Sequence, residues 1–273
     1  MKIEELRLHP IKSTSHINVD QCDILSYGLR HDRQWALFAT DGQVITSRTH
    51  PKLLDITCQI SNGKVSFSYE DVQIVLPPYN HRNYNALQIF SYDAHGYEVS
   101  TELNDWFSNY LGQSCKLIHV AEDRERPVLN KHGGQSGDKV GFGDQAPILI
   151  LSKGSLDDLN NRLADPLTMD RFRPNIIISG AEAYIEDHWD IIQVGNIKLR
   201  VIQQCERCVL TTIDHQTKRK HPKSEPLRTL NKYRRGPRGG VVFGVHAVPM
   251  STGSIYLNDE INVHSKISRP VNQ

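Results

Sequence analysis

Residues 201–214 have the sequence VIQQCERCVLTTID, in which Cys205 and Cys208 lie between two runs rich in β-branched residues. β-branched side chains favour extended structure, so the pattern predicts a strand, a short cysteine loop and a second strand. Arg207 directly precedes Cys208, and a neighbouring cation favours the thiolate form of a cysteine. Soft metal ions and sulfur-transfer reactions both require a thiolate. The stretch is therefore the first candidate for a functional site.

Three other interpretations of the cysteine pair remain open on the residues alone. A zinc site could use His215 and His221, but a finger-like site needs about 12 residues between cysteines and histidines. Only six residues separate Cys208 from His215. A redox pair is expected where a strand meets a helix, whereas β-branched residues follow this pair. Two buried cysteines that pack as small hydrophobic side chains are the interpretation that spacing alone favours.

The composition is typical of a globular protein and excludes several classes of partner. The 273 residues can form one large domain or two ordinary ones. With 32 basic and 31 acidic residues, the charge gives no basis for nucleic-acid or anionic-membrane binding. No apolar run approaches the roughly 20 residues needed to cross a bilayer, and the alternating Met1–Arg7 segment is not a signal peptide. Five cysteines at irregular spacing predict a cytoplasmic protein without disulfide bonds.

The first hundred residues predict short antiparallel strands. Asp41-Gly42 and Asn62-Gly63 each separate two strand-like runs, and such pairs are typical of hairpin turns. Closely spaced short strands with turns of this kind indicate a barrel or a sandwich. A helix is predicted from Thr101 to a stop at Gly112, with Leu103 and Phe107 on one face.

The second half combines buried strands with a glycine-rich segment. Five glycines occur from Gly133 to Gly143, and we expect a domain boundary or a mobile active-site loop that borders a substrate entrance. Residues 147–151 and 176–178 are apolar and predict buried strands. Ser155, with an acidic residue three positions later, resembles a capping box that opens a helix to Leu163. We divide the chain into domains 1–121 and 122–273.

Five motifs follow one another along nearly the whole chain. They are residues 9–13 (HPIKS), 28–33 (GLRHDR), 172–180 (FRPNIIISG), 205–214 (CERCVLTTID) and 225–234 (EPLRTLNKYR). In this order they resemble the MOSC-domain family, in particular its YcbX-like and mitochondrial amidoxime-reducing members. The resemblance implies a β-rich α+β fold, with an N-terminal β-barrel-like domain followed by a MOSC β-barrel core with short helices.

The resemblance also implies a molybdenum cofactor between the two domains. Cys208 matches the position that ligates molybdenum, and it is the catalytic candidate. A thiolate suits such a metal, and arginine grips a phosphate through paired hydrogen bonds. Cys205 is expected to serve packing, and pyridoxal phosphate is not expected. The residues that match contacts to the pyranopterin and its phosphate are Lys12, Ser13, Arg33, Arg173, Asn175 and Arg207.

The implied reaction is the reduction of N-hydroxylated compounds such as hydroxylamines, amidoximes and N-hydroxylated bases. No cysteine follows Cys208, so an iron–sulfur cluster cannot be ligated there. Electrons are therefore expected from a separate ferredoxin, flavoprotein or b-type cytochrome. The basic segments 218–223 and 234–238 are candidates for docking it. The alternatives are a protein that carries sulfur as a persulfide and a non-catalytic protein that binds the molybdenum cofactor.

Overall fold

The computed structural model describes residues 1–61, 63–77, 83–121 and 125–267. Its largest sheet contains eight strands and joins both ends of the chain. In the spatial order of the sheet, these strands are β2 (Ile17–Val19), β1 (Lys2–Leu8), β15 (Ile176–Ser179), β14 (Ile148–Ser152), β18 (Val242–Pro249), β17 (Ile197–Glu206), β16 (Trp189–Val194) and β20 (Ile261–Lys266).

Smaller sheets and three α-helices complete the described part of the chain. The predicted β-rich fold is confirmed. The four-stranded sheet is β5 (Trp35–Ala39), β11 (Cys115–Val120), β10 (Tyr92–Glu98) and β9 (Tyr84–Ile89). The others are β6 (Thr57–Ser61), β7 (Lys64–Tyr69) and β8 (Val72–Val75); β19 (Gly253–Tyr256), β3 (Gln21–Leu25) and β4 (Gly28–Leu29); and the pair β12 (Arg126–Pro127) and β13 (Lys139–Val140). The helices are α1 (Thr101–Leu111), α2 (Lys153–Asn160) and α3 (Leu227–Leu230).

The first strand of the chain pairs with a strand from its second half. β1 runs antiparallel to β15, with Leu6 opposite Ile176. The backbone N–H of Arg7 donates to the carbonyl of Asn175 at 2.8 Å. Because β1 ends beside the start of β15, the loop that follows β1 lies against the loop that precedes β15. This contact positions the site described below. The division of the chain at residue 121 stays a prediction.

The predicted helix and the buried strands are present. Ser100 caps α1 by accepting the N–H of Leu103, and Gly112 ends the helix in the left-handed conformation. Leu103 and Phe107 are fully buried in a cluster with Trp35 and Phe67. No helix in the described ranges is both long and apolar enough to cross a membrane.

The prediction of a second strand after the cysteine pair is wrong. Val209–Thr212 forms a 3-10 helix. The hydroxyl of Thr211 donates to the carbonyl of Cys208 at 3.0 Å, and the hydroxyl of Thr212 donates to that of Val209 at 2.7 Å. These local bonds from threonine side chains to the backbone compete with strand pairing. They override the β propensity of the β-branched side chains.

The predicted start of α2 is also wrong. Ser152, not Ser155, is its N-cap, and its hydroxyl accepts the N–H of Ser155 at 3.0 Å. The helix therefore spans Lys153–Asn160 and ends before Leu163. Ser155 instead donates its hydroxyl to the fully buried carboxylate of Glu186 at 2.8 Å. The carboxylate of Glu186, about 30 positions away in the sequence, binds the hydroxyls of both Ser152 and Ser155. This long-range contact could not be predicted from the spacing of capping residues.

The glycines of the 133–143 segment allow close backbone contacts. A Cβ added to Gly134 would lie 2.0 Å from the carbonyl oxygen of Val128, and one added to Gly133 would lie 2.5 Å from that of Ile202. The segment carries β13 and packs against its neighbours through these contacts. Of the two predicted hairpin turns, Gly42 has a φ of 80°, whereas Asn62 lies outside the described residues. The strands that flank Asn62, β6 and β7, are paired.

Candidate functional site

One cavity of about 290 Å³ is lined by all seven residues that the sequence matched to the molybdenum cofactor. Four separate segments contribute to it: the loop after β1, the turn before β5, the loop before β15 and the end of β17. In this order they supply Lys12 and Ser13, Arg33, Arg173 and Asn175, and Arg207 and Cys208.

Three of these residues have an unusual backbone conformation. Ser13, Arg33 and Arg173 have φ angles of 73°, 48° and 57°. A side chain larger than that of glycine in this left-handed region costs on the order of 1–3 kcal/mol, and such residues cluster at functional sites. The strain is concentrated where the three loops meet, so the fold maintains these positions against a local cost in free energy.

Arg33 connects the loops to one another. Its guanidinium donates to the carboxylate of Asp32 at 2.5 Å, to the side-chain oxygen of Asn175 at 3.1 Å and to the carbonyl of Arg173 at 3.0 Å. Asn175 is fully buried and also accepts the backbone N–H of Leu149 at 3.1 Å. The side chain of Arg33 is therefore fixed before any ligand binds.

Three arginines that line the cavity keep buried N–H groups without a partner among the described residues. These atoms are Nη1 of Arg171, Nη2 of Arg173 and Nε of Arg207. Arg173 donates its other terminal nitrogen to the carbonyl of Thr14 at 2.5 Å. Burial, and then the charge of Arg33, lower the pKa of Arg173 to about 9. Unpaired buried donors are costly, and an anion in the cavity would satisfy them.

The lining of the cavity is strongly cationic. Six basic residues face two acidic ones, Asp144 and Glu206. Lys12 forms an ion pair with Asp144, which also accepts from Arg48 at 3.2 Å. Burial would raise the pKa of Asp144, but the adjacent Lys12 ammonium outweighs it and lowers that pKa to about 2. The basic residues of the lining are Lys12, Arg33, Arg48, Arg171, Arg173 and Arg207.

The two cysteines differ in exposure and in partners. Cys208 is half-buried, whereas Cys205 is only 5% exposed, and both line the cavity. Arg207 donates to the sulfur of Cys205 at 2.9 Å and to the carbonyl of Phe172 at 2.6 Å, rather than to Cys208 as the sequence suggested. Arg207 and Cys205 are two positions apart, and in extended backbone such side chains point to the same side, which explains this contact. Burial raises the pKa of the Cys205 thiol.

Several lining residues carried no recognisable signal in the sequence. Arg48, Asp144 and His246 come from segments without a family motif, and only the fold brings them together. Arg171 could have been suspected because it directly precedes the 172–180 motif. Its partner Asp214 accepts from it at 2.6 Å. The lining residues that the sequence analysis did not assign to the cofactor are Thr46, Arg48, Phe90, Gly143, Asp144, Gln145, Ala146, Leu149, Arg171, Phe172, Cys205, Glu206, Leu210, Thr211 and His246.

One of the two basic docking segments is partly buried. Arg234 is only 4% exposed and pairs with Asp187 at 2.6 Å, so it is not available to a partner protein. Arg238 pairs with Glu206 at 2.9 Å. Arg219, Lys220 and Lys223 remain exposed. Separately, the described residues contain no group of three or more His, Cys, Asp or Glu side chains that could hold a metal ion.

The fold and the cavity define a class of protein: it is β-rich, and strained cationic loops surround a cysteine. The family model "MOSC N-terminal beta barrel domain" matches residues 1–114, and "MOSC domain" matches residues 137–262. The chain therefore belongs to the MOSC-domain family.

Curated relatives share most of the chain. Mitochondrial amidoxime reducing component 2 of Homo sapiens is 32% identical over 248 residues, covering 85% of this chain and 72% of that protein. Mitochondrial amidoxime-reducing component 1 of Danio rerio is 28% identical over 272 residues, with 95% and 83% covered. Among solved structures, the YuaD protein of Bacillus subtilis is 12% identical, with 97% and 95% covered and a TM-score of 0.47.

Proposed function

We propose that the cationic cavity binds a molybdenum–molybdopterin cofactor and that the chain is an oxidoreductase that reduces N-hydroxylated compounds. Its relatives are named amidoxime-reducing components, which supports this substrate class. The observation that carries the proposal is that Cys208 and six residues from the other motif positions line a single cavity.

The cations suit the phosphate of the cofactor. Charge-assisted hydrogen bonds from arginine to phosphate are stronger than neutral ones. The open N–H groups of Arg173 and Arg207 are available for such bonds, and Lys12 adds a buried positive charge. We assign Lys12, Ser13, Arg33, Arg173 and Arg207 to the cofactor clamp. Asn175 acts through Arg33, which it orients.

Cys208 is the proposed metal ligand and catalytic residue. A bound molybdenum ion would supply the two-electron redox chemistry. The protein would hold the metal through the Cys208 sulfur and restrict access of water. The Phe90 ring also lines the cavity, and its centroid lies 4.4 Å from the guanidinium of Arg48 and 5.6 Å from the ammonium of Lys12.

A separate protein is the proposed source of electrons. Arg219, Lys220 and Lys223 form the exposed basic surface that follows the cysteine loop. An acidic ferredoxin, flavoprotein or b-type cytochrome would be steered to such a surface. Because salt screens exposed charges, turnover coupled to the donor should fall steeply with ionic strength, whereas turnover with a small artificial donor should not. A cytoplasmic location remains part of this proposal.

Metal analysis of a cysteine variant tests the proposal. Cys208→Ala and the neighbouring control Val209→Ala are produced in a host that assembles molybdopterin. Val209 is 39% exposed and does not line the cavity. We expect molybdenum to fall about tenfold or more in Cys208→Ala and to remain stoichiometric in the control and the wild type. Amidoxime reduction with an artificial donor should be lost with the metal.

Three outcomes would contradict the proposal. Equal molybdenum in Cys208→Ala and in the wild type would remove Cys208 as the ligand. Cyanide-labile sulfur on a protein that contains no molybdenum would instead support the sulfur-carrier alternative. Molybdenum without turnover of any hydroxylamine or amidoxime would indicate a cofactor-binding protein that is not a reductase.

A further inference from the structure

A second cavity of about 300 Å³ adjoins the first. Asp144 and Gln145 line both cavities, so the two volumes meet at these residues. A cavity of this size is in the range that small-molecule ligands occupy. The motifs discussed above contribute no residue to its other walls, which are Ser91, Tyr92, Asp93, Arg126, Pro127, Leu129, His132 and Val140.

The turn between β9 and β10 reaches into both cavities. Tyr92 pairs with Ile89 across this turn, and Phe90 takes a φ of 55°. Phe90 lines the first cavity and Tyr92 lines the second. One short, tightly bent turn therefore places an aromatic ring on each side of the junction.

The walls of the second cavity differ chemically from those of the first. Tyr92, Pro127, Leu129 and Val140 present mostly apolar surface. The charged residues Arg126, Asp93 and Asp144 include both signs, so this cavity does not have the excess of positive charge that suits a phosphate. A neutral or singly charged organic group fits it better than the cofactor phosphate does.

Arg126 gives the second cavity a defined polar contact. It is only 9% exposed, and it donates from Nε and Nη2 to the carbonyl of Gly141 and from Nη2 to that of Gly143. Its Nη1 takes part in none of these bonds. The guanidinium lies 5.7 Å from the Tyr92 ring centroid. A ligand acceptor beside this ring would complete the donor set of Arg126.

We propose that the second cavity is the subsite for the non-reacting end of the substrate, and that this end is a planar aromatic group that carries a hydrogen-bond acceptor or a carboxylate. The ring would pack on Tyr92 and its acceptor would face Arg126. The N-hydroxylated end would then lie at Asp144 and Gln145, where the first cavity begins. This assignment rests on the proposed function.

A cavity-filling variant distinguishes binding at the proposed subsite from the chemical step. Leu129 is half-buried in the wall, so Leu129→Trp should occupy the space. With an artificial electron donor, we expect KM for benzamidoxime and 4-carboxybenzamidoxime to rise about tenfold or more. Hydroxylamine, which is too small to reach the subsite, should keep its KM and kcat. Leu163→Trp, at a half-buried leucine that does not line either cavity, is the matched control.

A second pair of variants tests the aromatic contact. Tyr92→Phe keeps the ring but loses the hydroxyl, which contacts His132 at 3.2 Å. Tyr92→Ala removes the ring. We expect KM for benzamidoxime to rise about fivefold in Tyr92→Ala and to stay near the wild-type value in Tyr92→Phe.

Direct binding provides a readout that does not depend on turnover. Titration of the purified protein with 4-carboxybenzamidoxime in a calorimeter should show binding that Leu129→Trp weakens at least about tenfold and Leu163→Trp preserves. Unchanged binding in Leu129→Trp would overturn the subsite, as would an equal loss for hydroxylamine and the aromatic substrates. If no substrate is reduced by any protein, the proposed reductase activity fails while the calorimetry still decides the subsite.

Discussion

The two adjoining cavities have nearly the same volume, about 290 and 300 Å³, but are built differently. The first is lined by six cations and is assembled from loops distant in sequence. The second is lined mainly by one turn and the 126–145 segment, and it contains a single buried arginine. Cations are held close together only where the fold forces them to be, since like charges repel. The lining of the first cavity therefore suits an anion, and that of the second suits the organic group proposed above.

Removing a connecting arginine should have the largest effect on stability. In Arg33→Ala, the Asp32 carboxylate, whose side chain is 2% exposed, loses its buried ion-pair partner. An unpaired buried charge costs about 3–5 kcal/mol, so we expect a loss of this size in the free energy of unfolding, measured by urea denaturation. Arg30→Ala breaks a pair with Asp23 whose side chains are 49% and 42% exposed. It should change stability by no more than about 1 kcal/mol.

Equal destabilisation by Arg33→Ala and Arg30→Ala would contradict the expected difference between the buried and the exposed ion pair. It would mean that the first cavity does not depend on its buried ion pairs, and that the convergence of the cations is a surface feature.

The glycine-rich 133–143 segment, which contributes Val140 to the second cavity, offers a test of how tightly this part of the chain is packed. A Cβ on Gly134 would lie 2.0 Å from the carbonyl oxygen of Val128, and forced overpacking of this kind costs about 1–3 kcal/mol. Gly134→Ala should therefore lower the unfolding free energy by about 2–3 kcal/mol. Gly141→Ala is the control, because its Cβ would meet only the carbonyl oxygen of Arg33 at 3.3 Å. Equal thermal unfolding temperatures for the two variants would show that the backbone of this segment can shift to accommodate the added methyl group at little cost in free energy.

The smallest expected effect is a pH dependence from His246. Burial, followed by the charges of Arg207 and Arg33, lowers its pKa from 6.5 to about 3. Between these values the unfolded chain binds a proton that the folded protein does not, so stability falls as the pH decreases through 6.5. The slope is at most about 1.4 kcal/mol per pH unit, which is roughly 2 kcal/mol between pH 6.5 and pH 5.

His246→Asn removes this proton-binding difference. Urea denaturation at pH 7 and pH 5 should show a smaller loss of stability on acidification in the variant than in the wild type. His132 of the second cavity also has a lowered pKa, first through burial and then through Arg238. Because fewer cations surround it, His132→Asn should flatten the acid dependence less. A larger effect from His132 would reverse the comparison between the two cavities.

Much of the fold and seven residues of the first cavity could be predicted from the sequence. Hairpin and helix signals are local: Gly42 and Gly112 mark chain reversals because glycine tolerates positive φ. The family motifs named seven lining residues because a cofactor imposes the same chemistry wherever it binds. The sequence did not indicate Arg48, Asp144 or His246, which belong to no motif. It also linked Arg207 to Cys208, whereas Arg207 donates to the sulfur of Cys205.

The β-rich class, the helix over Thr101–Leu111 and the residues able to hold an anion follow from local sequence, since turn chemistry and side-chain type are encoded position by position. The place where these residues meet depends on the folded chain. The pairing of β1 with β15 brings residues about 160 positions apart against each other, and long-range strand pairing depends on burial across the whole sheet. The same pairing decides which guanidiniums are left with open donors, and therefore where an anion can bind.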